Sequence, residues 1–407
     1  MRYGIIADDL TGSCDVAGRL TLLGYRPVVY VRPLKDAIQI RRSQGGSDVV
    51  IVNIRSREGS AREAKSRVRA AARILERSKF PVVYHKLDST LRGHWAEELQ
   101  ALAGVVHPDY VLVCPAFPAQ GRRIEHGKLL LDGEARLGLL AFFDGPEEAW
   151  LSERLRESCR WEAVEIPRKT LRRGVSAVHK ALDAGGEPRC GVFDAYHDND
   201  LAAIGRVCQR LTGRILCVGS AGLAPHVLPR RASPELVDHS RPPHPWLLIQ
   251  GSRRRVSHEQ FRRLAAVRDL HLMALPPWEG RGKRHAWCDE AVAALTLGRD
   301  VAIGLPEGYD TAAARSTMSI FERLFRNVFH NATLGGVFVS GGATAEAVCD
   351  SLRVSALRVT GEAAPGIPVS IALDGRLRGL HFITKAGGFG GPDTVREILE
   401  EFIRARR

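Results

Sequence analysis

The chain has 407 residues, 44% hydrophobic and 26% charged, the balance of a soluble globular protein long enough for two hydrophobic cores. No apolar run approaches the ~20 residues of a membrane span, and Asp8 and Asp9 arrive too early for a signal-peptide core, so a cytoplasmic protein without a membrane partner is expected. The net charge of +13 lies in short arginine clusters with no basic tail or aromatic-interleaved stripe, which favours anionic small molecules over nucleic acid.

Short apolar runs alternate with helical patterns along the chain. Strands are expected at Tyr3–Ala7, Pro27–Val31, Val49–Asn53, Val82–His85, Tyr110–Cys114, Cys190–Phe193 and Ile215–Val218, with helices such as Ala61–Arg77 and Leu201–Leu211 between them. Five prolines between Pro229 and Pro245 interrupt the pattern as a linker would. Alternation resumes at Trp246–Ile249, Leu270–Leu275, Val301–Leu305, Gly335–Val339, Ala356–Val359, Val369–Leu373 and His381–Thr384. The expectation is therefore an α/β protein of two domains, residues 1–228 and 246–407 joined by a linker at 229–245, each with a mainly parallel sheet flanked by helices. Eight cysteines include no CxxC pair and often sit in apolar runs, so they read as reduced core residues; no metal-ligand spacing appears among the histidines.

Ligands of open parallel sheets gather at the carboxyl ends of strands, where polar clusters recur in the first half. Asp8-Asp9-Leu10-Thr11-Gly12 follows the first strand; its two carboxylates suit a polyol or hydrated Mg2+, whereas helix capping needs only one of them. Lys86-Leu87-Asp88-Ser89-Thr90-Leu91-Arg92-Gly93 is the densest polar run. Arg92 can clamp a carboxylate, Lys86 adds a compact cation and Asp88 can orient or deprotonate a hydroxyl, while Asp88 or Ser89 would serve equally as a helix cap. Asn53-Ile54-Arg55-Ser56-Arg57 and Pro115–Arg122 complete four successive strand ends with polar, mostly cationic loops, a pocket for a small organic acid; Arg57 is expected to be solvated.

In the second half, glycine-rich turns link strand to helix at Gly251-Ser252, at Ser340-Gly341-Gly342-Ala343-Thr344 and at Lys385-Ala386-Gly387-Gly388-Phe389-Gly390. Such turns offer backbone N–H groups to phosphate, although each alone is equally compatible with tight packing. None matches a Walker or dinucleotide fingerprint.

Taken together, these segments resemble the four-carbon acid sugar kinase family, through Ala7–Gly12, Arg55–Arg57, Lys86–Gly93, Pro115–Arg122, Gly251-Ser252, Ser340–Ala345, Pro365-Gly366 and Lys385–Gly390 in order. The resemblance implies an ATP- and Mg2+-dependent kinase of threonate, erythronate or 3-oxo-tetronate. It implies substrate contacts at Asp8, Asp9, Arg55, Lys86 and Asp88 to Gly93 (Ser89, Thr90 and Arg92 among them). Nucleotide contacts fall at Ser252, Gly341, Gly342, Ala343, Thr344, Gly387 and Gly388. Either Asp8 or Asp88 would be the base, with Lys86 beside it. His94-Trp95, Ala343 and the stretch Leu137–Trp150 depart from the family pattern. A kinase of a different hydroxy acid and a non-catalytic metabolite sensor are the alternatives, and homo-oligomer formation is left open.

Overall fold

A computed structural model describes residues 1–37, 40, 46–131, 150–231, 244–274, 281–305 and 325–404, the side chains of 281–285 excepted. Most of the linker and the stretch from Leu137 to 149 lie outside the described residues. The chain divides into two compact units, Met1–Pro234 and Glu235–Arg407.

The first unit contains β1 (Tyr3–Ala7), β2 (Pro27–Tyr30), β3 (Val49–Asn53), β4 (Val82–Lys86), β5 (Tyr110–Cys114), β6 (Arg122–Glu125), β7 (Lys128–Leu131), β8 (Val164–Ile166), β9 (Arg189–Phe193) and β10 (Ile215–Gly219). Its sheet runs β2-β3-β1-β4-β10-β5-β9-β8, with every neighbouring pair parallel. Helices cover both faces, so β2, β3 and β5 are buried along their whole length and read as unbroken apolar runs. The Ala61–Arg77 helix starts on a Ser60–Glu63 capping box and buries Ala64, Val68, Ala71, Ala72 and Leu75, one face at helical spacing.

Strand order reverses between β1 and β4: the chain goes one way to β2 and β3, then returns across β1 to β4. This is the switch point at which a crevice opens beyond the strand ends. The register sets Ala7 beside both Asn53 and Lys86. Asp8, Ile54 and Leu87 therefore leave the sheet on one row.

The second unit comprises β11 (Trp246–Gln250), β12 (Leu270–Ala274), β13 (Asp300–Gly304), β14 (Gly336–Ser340), β15 (Ala356–Ala364), β16 (Ile367–Ala372) and β17 (His381–Lys385), in the order β12-β13-β11-β14-β17-β16-β15. The pairs from β12 to β17 are parallel, and β16 runs antiparallel to both β17 and β15. Trp246, Leu248, Phe338, Ile383, Val395 and Leu399 form part of its core. Gln250 pairs with Ser340, and Ser340 with Lys385, so all three glycine-rich turns begin on one row.

The fold class expected from the alternation is the one observed, and the expected strands recur with small differences at their ends. Ala356–Val359 extends to Ala364 as half of a β15–β16 hairpin. Three elements were not expected: β8, and the β6–β7 hairpin that pairs Arg122 with Leu131. Both hairpin strands are short and lack alternation of apolar and polar residues, which is the signal that periodicity detects. The cysteines are free thiols, all buried except the half-buried Cys208.

Candidate active site

At the β1–β4 switch point three carboxylates face three cations. Asp9 caps the Leu10–Thr21 helix, accepting from the Gly12 N–H at 2.9 Å, and also accepts from the Thr11 hydroxyl at 2.6 Å. Capping therefore accounts for Asp9 and leaves Asp8 for other work. Arg57 reaches across from the loop after β3: its Nε and Nη2 lie 2.9 and 2.8 Å from Asp8 Oδ2, and its Nη1 lies 2.9 Å from Asp9 Oδ2. Nη2 also stands 3.6 Å from Asp88 Oδ1. The solvated arginine expected from sequence is instead the shared counter-ion of the cluster, its side chain only 17% exposed.

Asp88 is engaged on both oxygens. Arg92 donates to it through Nε at 2.7 Å and Nη2 at 3.1 Å, and the Thr90 hydroxyl also donates to it. Lys86 is buried, and its Nζ comes so close to Gly12 that a Cβ there would stand 2.5 Å from it. Two residues without a glycine's freedom hold left-handed backbone here, Arg55 at φ 49° and Leu91 at φ 61°, a strain of ~1–3 kcal/mol each that surrounding structure must hold.

Burial opposes ionisation of all three acids, with different outcomes. At Asp8 it prevails over Arg57 and Lys86, and the carboxyl is raised above its ordinary range. At Asp9 burial is outweighed by Arg57, Lys86 and the Thr11 hydroxyl, so that group is lowered. At Asp88 burial is outweighed by Arg57 and Arg92, and the group is held well below the ordinary range. Asp8 Oδ1 is buried and accepts no hydrogen bond from the described residues. A carboxylate of raised pKa with a free lone pair is suited to accepting a proton; one held by a bidentate guanidinium is not.

In the second unit the three glycine turns converge. A Cβ on Gly251 would stand 1.9 Å from Thr344 Oγ1, and one on Gly387 would stand 2.0 Å from Ser252 Oγ. These are positions where only glycine fits, because neighbouring turns press together. Ser252 and Thr344 are buried between them, and Gly342 opens the Gly342–Leu352 helix. The result is a row of backbone amides and two hydroxyls at a helix N-terminus, an arrangement that suits phosphate.

Comparison with known proteins identifies the family of the chain. A family described as a sugar-binding N-terminal domain matches residues 3–227, and one described as a nucleotide-binding C-terminal domain matches residues 247–395. D-threonate kinase of Salmonella typhimurium is 31% identical over 427 residues, covering 98% of this chain and 98% of that one. The chain belongs to the four-carbon acid sugar kinase family. A 3-oxo-tetronate kinase of Cupriavidus necator is 30% identical, covering 98% of this chain and 96% of that one. A solved structure from Salmonella typhimurium LT2 shares the fold with a TM-score of 0.81 at 23% identity, covering 100% of this chain and 99% of that one.

Of the residues the family resemblance singled out, Asp8, Asp9, Lys86, Asp88, Thr90 and Arg92 gather in one cluster. Arg55 is turned aside, its Nε donating to the Val31 carbonyl at 3.0 Å. Ser89 is half-buried and Gly93 exposed in the same loop, and the Gly93 backbone runs against Arg57. Among the nucleotide candidates, Ser252, Gly341, Thr344 and Gly387 converge, whereas Ala343 and Gly388 are exposed. His94 joins its ring Nε2 to the Gly59 carbonyl at 2.7 Å, and Trp95 opens the Trp95–Val106 helix with 6% exposure. The residue that sequence reasoning missed is Arg57; the signal was there in the Arg55-Ser56-Arg57 turn, where two arginines leave one strand end. The positive φ of Arg55, which local sequence does not announce, decides which of them turns inward. Among the described residues no helix is long and apolar enough to cross a membrane.

Proposed function

We propose that this member of the family transfers the γ-phosphoryl group of ATP to a hydroxyl of a four-carbon sugar acid such as D-threonate, D-erythronate or 3-oxo-tetronate. The observation that carries the reading is Asp8: a buried carboxylate at the switch point, raised in pKa, with Oδ1 unpartnered among the described residues. In this mechanism Asp8 Oδ1 accepts the proton of the substrate hydroxyl as its oxygen attacks the γ-phosphorus. The bond from that phosphorus to the bridging oxygen of ADP breaks, and ADP leaves with the electron pair.

Lys86 supplies the positive charge that holds the acid in place, with Arg92 at the rim of the same loop. Asp88 is a positioning group that fixes Arg92 and shares Arg57, which favours Asp8 over Asp88 as the base. The amides and hydroxyls of Ser252, Gly341, Gly342, Thr344 and Gly387 receive the nucleotide phosphates. Mg2+ would enter with the nucleotide, held by phosphate oxygens and water, and would offset charge on the transferred group. Such an ion needs no ready-made protein cage, and no group of three His, Cys, Asp or Glu residues that could hold a metal ion occurs among the described residues.

The test is ATP consumption across a panel of D-threonate, D-erythronate, 3-oxo-tetronate and longer sugar acids, with Asp8→Asn alongside the natural chain. Turnover on a four-carbon acid, lost in the variant, is expected. A substrate-dependent thermal shift without ADP release would instead make the chain a sensor.

A further inference from the structure

Lys385 closes β17 with none of its side chain exposed, and no carboxylate among the described residues pairs with it. Its Nζ lies 3.1 Å from the Ala386 carbonyl oxygen, 3.4 Å from that of Gly387 and 3.0 Å from that of Phe389. A buried charge without a counter-ion is costly, and burial pushes this ammonium down to about 7. The cost would be avoided by leucine or methionine, so the ammonium needs a purpose in this place.

Two further buried donors work on the same turn. The Ser257 hydroxyl donates to the Gly387 oxygen at 2.7 Å, and Gln260 Nε2 donates to the Phe389 and Gly391 oxygens at 3.1 and 2.8 Å. In a planar trans peptide the C=O of one residue and the N–H of the next point opposite ways. Drawing the carbonyls of Ala386, Gly387 and Phe389 inward therefore turns the N–H groups of Gly387, Gly388 and Gly390 outward. Among the described residues none of those three amides has a backbone acceptor, whereas the Phe389 N–H bonds Ala386 at 3.0 Å. A set of outward amides backed by a cation is an anion nest.

We propose that Lys385 is the positioning residue of the phosphate-binding turn. Together with Ser257 and Gln260 it holds the turn's carbonyls inward so that the Gly387, Gly388 and Gly390 amides face the polyphosphate of the nucleotide. That polyphosphate supplies the negative charge that no described residue places beside Lys385. The inference rests on the nucleotide reading of the turn given above.

The experiment measures ATP and adenosine binding by calorimetry, and steady-state KM for ATP and for the sugar acid, in Lys385→Met, Gln260→Leu and Gly387→Ala. Lys385→Met is expected to weaken ATP roughly tenfold to a hundredfold, the scale of lost charge-assisted hydrogen bonds, with adenosine affinity and the KM of the sugar acid unchanged. Gln260→Leu should shift ATP in the same direction by less, and carries the test if Lys385→Met does not fold. Equal ATP affinity in the natural chain and the folded variants, or equal losses of ATP and adenosine, would overturn the proposal. Gly387→Ala separates the two readings: if it leaves ATP binding intact, the turn is not the nucleotide site; if it weakens ATP while Lys385→Met and Gln260→Leu do not, only the role of Lys385 fails.

Discussion

Arg57 grips Asp8 by one oxygen and leaves the other bare. Both contacts, from Nε at 2.9 Å and Nη2 at 2.8 Å, fall on Oδ2, while Oδ1 is buried with no partner among the described residues. The guanidinium thus fixes the carboxylate in place without consuming the lone pairs that a proton transfer would use. Burial outweighs Arg57 and Lys86 at Asp8, the neighbouring Asp9 and Asp88 push in the same direction as burial, and the carboxyl stays raised.

Asp8→Asn keeps the shape of the side chain and removes its basicity. Turnover should fall by roughly 10²–10⁴, the usual contribution of a positioned base, while ATP affinity holds. In the natural chain the base must be ionised, so kcat/KM should fall as pH drops through the raised pKa of Asp8. The acid limb should accordingly lie above the ~3.9 of an ordinary aspartate. A kcat for Asp8→Asn equal to that of the natural chain removes Asp8 from the chemistry.

Arg57→Lys is not a conservative change here. One ammonium cannot reach carboxylates that a planar fork spans, so at least one buried acid is left unpaired. Loss of a partner from a buried ion cluster costs about 3–5 kcal/mol, to be read from urea unfolding at pH 7. Lysine keeps the charge but not the two guanidinium contacts on Asp8 Oδ2, so Asp8 should rise further in pKa, and the acid limb of any active variant should move to higher pH. Unchanged stability together with an unmoved limb would show that Arg57 is not the shared counter-ion.

Asp88 gives the opposite pH signature. Burial is outweighed by Arg57 and Arg92, so the folded-state pKa is lowered relative to the unfolded chain. Its stabilising contribution is therefore present above the unfolded pKa of ~3.9 and is lost as pH falls through the lower folded value. Asp88→Asn should cost about 2 kcal/mol at pH 7, a figure reduced for the partial exposure of Arg92. The gap in Tm between variant and natural chain should narrow as the solution is acidified below the unfolded pKa. A gap that widens in acid would contradict this assignment.

Much of this architecture was legible in the sequence because parallel strands buried on both faces write themselves as unbroken apolar runs, and Tyr3–Ala7, Val49–Asn53 and Tyr110–Cys114 do so. The clusters of Asp8, Lys86 and Asp88 followed from those strand ends and from the family pattern. Side-chain direction was not legible. Asp8 and Asp9 are adjacent and chemically identical, yet one caps a helix and the other keeps a bare oxygen. Arg55 and Arg57 are likewise equivalent on paper, until a left-handed backbone at Arg55 sends one to Val31 and the other into the acids. The hydrogen-bond partners of Arg57, Asp8 and Asp9, lie 49 and 48 positions away in sequence, and Asp88 is remote as well, where local pattern has no reach.

The convergence of the second unit's turns makes its own prediction at Gly251. An added methyl would stand 1.9 Å from Thr344 Oγ1 and 2.7 Å from Thr344 Cβ, so the whole side chain, not a flexible tip, must move. Thr344 is buried in the first turn of the Gly342–Leu352 helix and has little room to yield. Gly251→Ala should therefore push that helix N-terminus away from Ser252 and raise the KM for ATP by about tenfold or more, while the KM for the sugar acid stays within about twofold. Both constants come from one two-substrate kinetic series. A rise confined to the sugar acid would place the nucleotide away from these turns, and a parallel rise in both would point to a general loss of folded protein, which a thermal melt of the same sample distinguishes.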